Sequence, residues 1–309
     1  MKTINQFEEK DKVELPLLIS QVTQGITTSG SPYLSVVCQD KTGSIDGKFW
    51  DVKDNQSSLV KPGMILDVVG EVLKYRNSLQ LRIHNVLKPQ QEYQIADFVE
   101  QTSIPIEELK QRVNETIASI DDEVIQGIVQ EVFKRYEKEF FEFPAASRNH
   151  HDFLGGLATH VVSMLDVGEF VVKQYPLLNR DLLLGGILLH DVGKVLELSG
   201  PILTEYTLKG RLLGHISMVN AIIAEIAKKE GWEDKEQTVL LSHLVLSHHG
   251  QYEYGSPVLP MLPEAEILNI IDNLDARMNM FEKMIETTEP KTFSGRIFSL
   301  ENRNFYRSK

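Results

Sequence analysis

The sequence lacks the features that define several other classes of protein. Its 309 residues contain one cysteine, Cys38, so no disulfide can form within the chain and a reducing compartment is expected. No apolar run reaches about 18 residues, which argues against a transmembrane helix. The polar start, MKTINQFEEKDK, has no apolar stretch of the kind found in signal peptides. We therefore expect a cytoplasmic protein with no membrane partner.

An excess of positive charge is also missing. The formal net charge is −12, which at first argues against a nucleic-acid partner. The acidity is unevenly placed, because residues 1–90 hold 11 basic and 10 acidic residues, whereas the remainder holds 21 and 34. The first part is thus nearly neutral, and bound metal would offset some of the negative charge of the second.

The first 88 residues predict a small β barrel. Four short stretches with strand character, SPYLSVVCQD, SIDGKFW, MILDVVGEVLKYR and SLQLRIHNVL, are separated by turn residues. Gly70 interrupts the third stretch, where we expect a bulge or bend. Alternation assigns to the inner faces Leu34, Val36, Cys38, Ile45, Gly47, Phe49, Leu79, Leu81 and Ile83.

From Pro105 the apolar period becomes helical. We assign residues 89–120 to a linker and first helix, 121–286 to an all-α domain and 287–309 to a C-terminal tail. Asp121 is the expected N-cap of the helix that follows it. The predicted fold class is therefore multidomain, with a small N-terminal β barrel followed by an all-α domain.

The histidines are concentrated in the helical part, where eight of nine fall between residues 150 and 249. A single histidine on an apolar helix is more often structural than functional. Here several polar residues recur on different predicted helices, and a shared metal site would explain all of them. Imidazole with carboxylate favours a transition metal over Ca²⁺. The candidate ligands are His160, His190, Asp191, His215, His248, His249 and Asp272.

The ordered set His160, His190-Asp191 and Asp272, with Gly193-Lys194, resembles the H…HD…D signature of the HD-domain metal-dependent phosphohydrolases. The resemblance implies two divalent transition-metal ions, Mn²⁺ first, with Co²⁺, Fe²⁺, Ni²⁺ or Zn²⁺ open. It implies that His160, His190, Asp191 and Asp272 hold the first ion. The second ion would be held by Asp191, His215 and either His248 or His249.

The chain as a whole allows a closer match. The barrel with DKTGSIDGKFWD resembles the OB-fold modules that bind single-stranded nucleic acid, and its place before an HD domain is similar to the YhaM-type 3′→5′ exoribonucleases. Three further stretches support this match: SHHGQYEYGSP, IIDNLDARM and IFSLENRNFY. The resemblance implies hydrolysis of single-stranded RNA to nucleoside 5′-monophosphates, and leaves single-stranded DNA and a homo-oligomer open.

Further residues are candidates for contact with substrate. Asp191, Lys194 and His151 are the predicted catalytic residues, although Lys194 could equally cap a helix C-terminus and His151 could lie in a polar loop. Arg277 either contacts substrate or is a solvated charge. Aromatic and basic side chains on the outer face of a barrel suit stacked bases and a charged backbone. The candidates for substrate binding are Tyr33, Lys48, Trp50, Arg82, Arg148 and Arg277.

Two other functions compete with the exoribonuclease. One is an HD-type phosphodiesterase of a cyclic nucleotide or another small nucleotide, for which a strand-binding barrel would be unnecessary. The other is a protein that binds single-stranded nucleic acid, with a regulatory HD site. The complete set of candidate ligands argues against that second alternative.

Overall fold

The computed structural model describes the chain except for residues 1, 28–29, 51, 76–77 and 147–152. The chain divides into two compact units, Met1–Gln101 and Thr102–Lys309. None of the helices in the described ranges is long and apolar enough to cross a membrane. Our domain limits at residues 88, 120 and 286 stay a prediction, and the first long helix lies with the second unit.

The first unit is a closed barrel. Its strands are β1 (Lys12–Ile26), β2 (Pro32–Asp40), β3 (Gly43–Trp50), β4 (Ile65–Tyr75) and β5 (Ser78–Leu87), with the short helix α1 (Asp54–Ser57) between β3 and β4. The order around the barrel is β1-β2-β3-β5-β4, which closes onto β1. β3 and β5 run parallel, whereas the other neighbours are antiparallel.

The alternation of side chains predicted most of the barrel core. Buried as expected are Leu34, Val36, Cys38, Ile45, Gly47, Phe49, Leu81 and Ile83. Leu79 was wrongly placed inside, since it lies near the start of β5 and is 37% exposed. At Gly70, where a bulge or bend was expected, the pairing with β5 shifts register between Val69 and Gly70. A Cβ at residue 70 would lie 2.5 Å from the carbonyl oxygen of Arg82, so a side chain would push the strands apart.

The second unit is helical. Its helices are α2 (Ile106–Ala118), α3 (Glu123–Glu142), α4 (Gly156–Gln174), α5 (Arg180–Leu189), α6 (Lys194–Glu197), α7 (Leu208–Glu230), α8 (Glu236–Ser247) and α9 (Pro263–Thr287). Asp122, and not the predicted Asp121, caps α3, since its carboxylate accepts the N–H groups of Val124 and Ile125. Two adjacent aspartates offer the same capping chemistry, and only the folded backbone selects one; such a cap contributes about 0.5–2 kcal/mol.

Helix α5 lies at the centre of the second unit. All of Leu182–Leu189 is buried, which explains why this segment is apolar on every side. Gly186 permits close packing, because a Cβ there would lie 2.4 Å from the side chain of Leu244. The helix ends at His190, so the chain carries His190 and Asp191 into the interior of the domain.

The C-terminal segment packs against α9. The guanidinium of Arg277 donates to both carboxylate oxygens of Glu301, at 2.8 and 3.2 Å. The rings of Phe281 and Phe305 meet edge to face, with centroids 4.9 Å apart. Leu300 is fully buried. The last residues thus form part of the helical unit.

Candidate metal centre and nucleic-acid surface

Five helices deliver polar side chains to one place in the second unit. These side chains come from α4 (His160), the end of α5 (His190, Asp191), α7 (His215), the end of α8 (His248, His249) and α9 (Asp272). They are the residues that were proposed as ligands from the sequence. The first and last of them are more than 110 residues apart in the chain.

A break in α7 sets the position of His215. Gly214 adopts φ 71° and ψ 154°, a non-helical conformation inside the helix. The positive φ is readily adopted by glycine and is strained for residues with a side chain. Because the helix restarts immediately afterwards, His215 is turned inward and is only 8% exposed.

The ligand atoms form two groups. In the first, atoms of His160, His190 and Asp272 all lie within 4.8 Å of one another. In the second, atoms of His215, His248 and His249 do so. Each group offers the three nitrogen or oxygen donors that a divalent transition metal takes from a protein.

Asp191 lies between these two groups. Its Oδ1 is 3.3 Å from Nε2 of His215 and 3.8 Å from Nε2 of His248. Its Oδ2 is 3.4 Å from Nε2 of His190 and 3.8 Å from Nε2 of His160. One carboxylate oxygen therefore faces each group.

Several polar atoms at the centre have no hydrogen-bond partner among the described residues. These buried atoms are Nε2 of His190, His215 and His248, and Oδ1 of Asp191. Leaving such atoms unpaired in a protein interior costs about 1–3 kcal/mol each. A cation held between them would remove that cost, so the residues present fit divalent metal ions.

Burial and neighbouring charges shift the pKa values of several groups at the centre. Burial alone would raise the pKa of Asp191, but Lys194 and His190 outweigh it and hold that pKa well below its usual range. Burial opposes ionisation of His160, whereas its contacts with Asp272 and Asp275 outweigh burial and raise its pKa to about 9. Burial lowers the pKa of His248 well below its usual range, which favours the neutral imidazole.

Two carboxylates at the centre were missed by our reading of the sequence. Asp275 lies 2.6 Å from Nδ1 of His160, and Glu197 lies 3.0 Å from Nδ1 of His215. Asp275 follows Asp272 by three residues, so helical spacing could have indicated it. Glu197 ends the single-turn helix α6 and gives no comparable signal.

The remaining candidates have different surroundings. Lys194 begins α6, so it is not the helix C-terminal residue considered from the sequence, and its ammonium lies 2.5 Å from Oδ2 of Asp191. Arg277 pairs with Glu301. His243, which was not among the candidate ligands, accepts the main-chain N–H of Met261 at 2.9 Å. Arg148 and His151 lie outside the described residues, so their predicted roles stay predictions.

The barrel brings four predicted substrate contacts onto neighbouring strands. Tyr33 faces Trp50 across β2 and β3, with ring centroids 4.7 Å apart. Lys48 is paired with Arg82 across β3 and β5, and its ammonium lies 5.3 Å from the centroid of Tyr33. Trp50 is 42% exposed. Aromatic faces beside cationic groups are what single-stranded nucleic acid requires of a binding surface.

Comparison with known families matches both units. Residues 18–88 match the OB-fold nucleic acid binding domain, and residues 157–277 match the HD domain. The solved second OB-fold domain of replication protein A from Methanococcus maripaludis covers 30% of this chain and 98% of that chain, at 19% identity. The TM-score of this match is 0.25.

Curated relatives match almost the whole chain. The 3′-5′ exoribonuclease YhaM of Geobacillus sp. is 45% identical over 308 residues, covering 99% of this chain and 95% of the relative. The proteins of the same name from Bacillus pumilus and Bacillus subtilis are each 44% identical, covering 99% of this chain and 98% of each relative. Similarity at this level over both units shows that the chain belongs to the family of YhaM 3′-5′ exoribonucleases.

Proposed function

We propose that this chain is a cytoplasmic, metal-dependent 3′→5′ exoribonuclease that shortens single-stranded RNA and releases nucleoside 5′-monophosphates. One observation carries the proposal: Asp191 presents one carboxylate oxygen to each of two groups of metal-ligating side chains. The relatives that share the full length of the chain bear the name of this activity.

The residues of the centre have separate tasks in this proposal. His160, His190, Asp191 and Asp272 would hold a first ion, and Asp191, His215, His248 and His249 a second. Two divalent ions, with Mn²⁺ as our first choice, would activate a water molecule and neutralise charge on the phosphoryl oxygens. Lys194 keeps Asp191 ionised, and its ammonium is close enough to the centre to meet a phosphate oxygen.

The barrel would bind the substrate strand. Trp50 and Tyr33 offer ring faces on which bases stack, and each stacked base contributes about 1–3 kcal/mol. Lys48 and Arg82 add positive charge beside the rings for the phosphate backbone. The nearly neutral charge of residues 1–90 is compatible with RNA binding, because Lys48 and Arg82 lie together on neighbouring strands, with the Lys48 ammonium close to the ring of Tyr33.

A pair of RNA substrates tests the proposal. The full chain is incubated in Mn²⁺ with a 5′-labelled linear RNA and with the same RNA as a closed circle. We expect a ladder of shortening fragments and nucleoside 5′-monophosphates from the linear RNA alone. Cleavage of the circle would indicate an endonuclease. Inertness toward both RNAs, together with hydrolysis of a cyclic nucleotide, would favour the small-nucleotide phosphodiesterase.

A further inference from the structure

The histidines of the metal centre differ in the type of group that accepts a hydrogen bond from the ring nitrogen Nδ1. Main-chain carbonyl oxygens accept from Nδ1 of three of them: Ile187 for His190 (2.8 Å), Val245 for His248 (2.7 Å) and Tyr254 for His249 (2.7 Å). Carboxylates accept from the other two, since Asp275 meets His160 and Glu197 meets His215. A carbonyl oxygen can only accept, so Nδ1 carries the proton and Nε2 is left to bind metal.

The two carboxylates are divided between the two ligand groups. Asp275 supports the first group, which already contains the carboxylate of Asp272. Glu197 supports the second group, which consists of the imidazoles of His215, His248 and His249. Within the part of the chain that the structure describes, the carboxylate of Asp191 faces both groups. Glu197 therefore places a carboxylate directly behind one histidine of the second group.

Glu197 is held rigidly against His215. Its Oε2 lies 3.0 Å from Nδ1 of His215, and its Oε1 accepts the main-chain N–H of the same residue at 3.2 Å. The main chain of Glu197 is held too, because its carbonyl oxygen accepts the N–H of Thr207 at 2.8 Å. Gly210 packs directly on that carbonyl, and a Cβ there would lie 2.2 Å from the oxygen. The carboxylate thus fixes both the position and the rotation of the His215 ring.

Such a carboxylate affects the bound ion in two ways. It fixes the ring orientation and the tautomer, and it makes Nε2 a stronger donor to the metal. Its charge also offsets that of a cation held by imidazole nitrogens, and it does so in a buried setting where screening by water is weak. The direct contact is with His215, so the effect on ring orientation and donor strength acts on the second group.

We propose that Glu197 is a positioning residue that sets the affinity of the second metal ion, and that Asp275 has the corresponding, weaker role at the first. The inference rests on the two-ion site of the proposed function. Asp275 should have the weaker role because the first group already contains a carboxylate, that of Asp272.

The experiment titrates the metal-free full chain with Mn²⁺ alone, using calorimetry for affinities and elemental analysis for the number of ions. The variants are Glu197→Gln and Asp275→Asn, which keep the volume and one acceptor but lose the charge. Glu205→Gln is the matched control, because Glu205 is exposed in the connection between α6 and α7. His160→Ala and His215→Ala mark the loss of the first and second ion. The melting temperature of each metal-free variant is measured alongside.

We expect two ions in the unsubstituted chain and in Glu205→Gln. Glu197→Gln should bind one ion normally and the second about 10–100-fold more weakly, with the titration curve of His215→Ala as its limit. Asp275→Asn should show a smaller loss at the other ion. The metal-free melting temperature of Glu197→Gln should match that of Glu205→Gln.

Three outcomes would overturn the inference. They are normal binding of both ions by Glu197→Gln, an equal loss of both ions with a lower metal-free melting temperature, and fewer than two ions in the unsubstituted chain. The proposed function fails separately: if Glu197→Gln selectively loses the second ion but the unsubstituted chain leaves linear RNA intact, the inference stands and the exoribonuclease does not.

Discussion

The ammonium of Lys194 lies 2.5 Å from Oδ2 of Asp191, and the two side chains are only 13% and 2% exposed. This ion pair lies inside the domain, where an unpaired charge is costly. In the absence of metal, Lys194 offsets the charge of the carboxylate that faces both ligand groups. A bound cation would also offset part of the negative charge of Asp191.

Replacing Lys194 by methionine should therefore destabilise the metal-free protein by about 3 kcal/mol or more, since breaking a buried pair leaves one charge without its partner. The loss should shrink in Mn²⁺, because the ions then neutralise Asp191. Urea unfolding with and without Mn²⁺ measures both effects. Lys134→Met is the control: Lys134 also pairs at spacing i,i+3, with Glu131, but is 76% exposed and should matter little. Equal losses in the two variants would contradict the prediction.

Asp191→Ala should be the most damaging single change at the metal centre. It removes the carboxylate that faces both groups, so RNA hydrolysis should fall by about a thousandfold or more, equivalent to several kcal/mol of transition-state stabilisation. Elemental analysis of the same sample should show depleted metal. His243→Ala should keep most of the activity, because His243 lies outside both ligand groups and contacts the main chain of Met261. Comparable damage from both changes would mean that the cluster is structural.

Trp50→Ala should weaken RNA binding by about 1–3 kcal/mol, because it removes one face of the aromatic pair with Tyr33. Turnover at saturating RNA should change little, since binding shared by ground state and transition state affects KM and not kcat. Leu87→Ala is the control, as Leu87 is an exposed apolar residue at the end of β5. An unchanged KM for Trp50→Ala would assign the aromatic pair to another role.

Cys38 should resist alkylation in the folded protein. Burial in the barrel core raises the pKa of its thiol to about 12, so at pH 8 it is protonated as well as inaccessible. Because it is the only cysteine, its reaction with iodoacetamide reports unfolding of the barrel alone. Mass spectrometry across a urea series should show labelling that rises with barrel unfolding. Rapid labelling without urea would mean that the barrel opens under native conditions.

The helical unit shows how far sequence patterns reach. The segment Leu182–Leu189 is apolar throughout, which is typical of a buried helix, and it forms the buried helix α5 that ends at His190. The predicted N-cap of α3 was wrong by one residue, because Asp122 caps the helix and Asp121 does not. Periodicity locates a helix face, whereas the end of a helix depends on which side chain the folded chain brings onto the free N–H groups.

The sequence by itself determined the two-part architecture, the inner face of the barrel and the types of residue that would hold metal. These follow from local rules, since the period of apolar residues and the donor atoms of histidine and aspartate can be read without knowing what lies nearby. The resemblance to a family with the same ordered motif then narrowed the expected reaction to metal-dependent phosphohydrolysis.

Only the tertiary structure decided which atoms meet. It placed both His248 and His249 in one group, turned one oxygen of Asp191 toward each group, and paired Arg277 with Glu301. It also placed the carboxylates of Glu197 and Asp275 behind two of the histidines. Contacts of this kind join residues up to 115 positions apart. They depend on how helices pack and where Gly214 breaks α7, and no local pattern in the sequence records that.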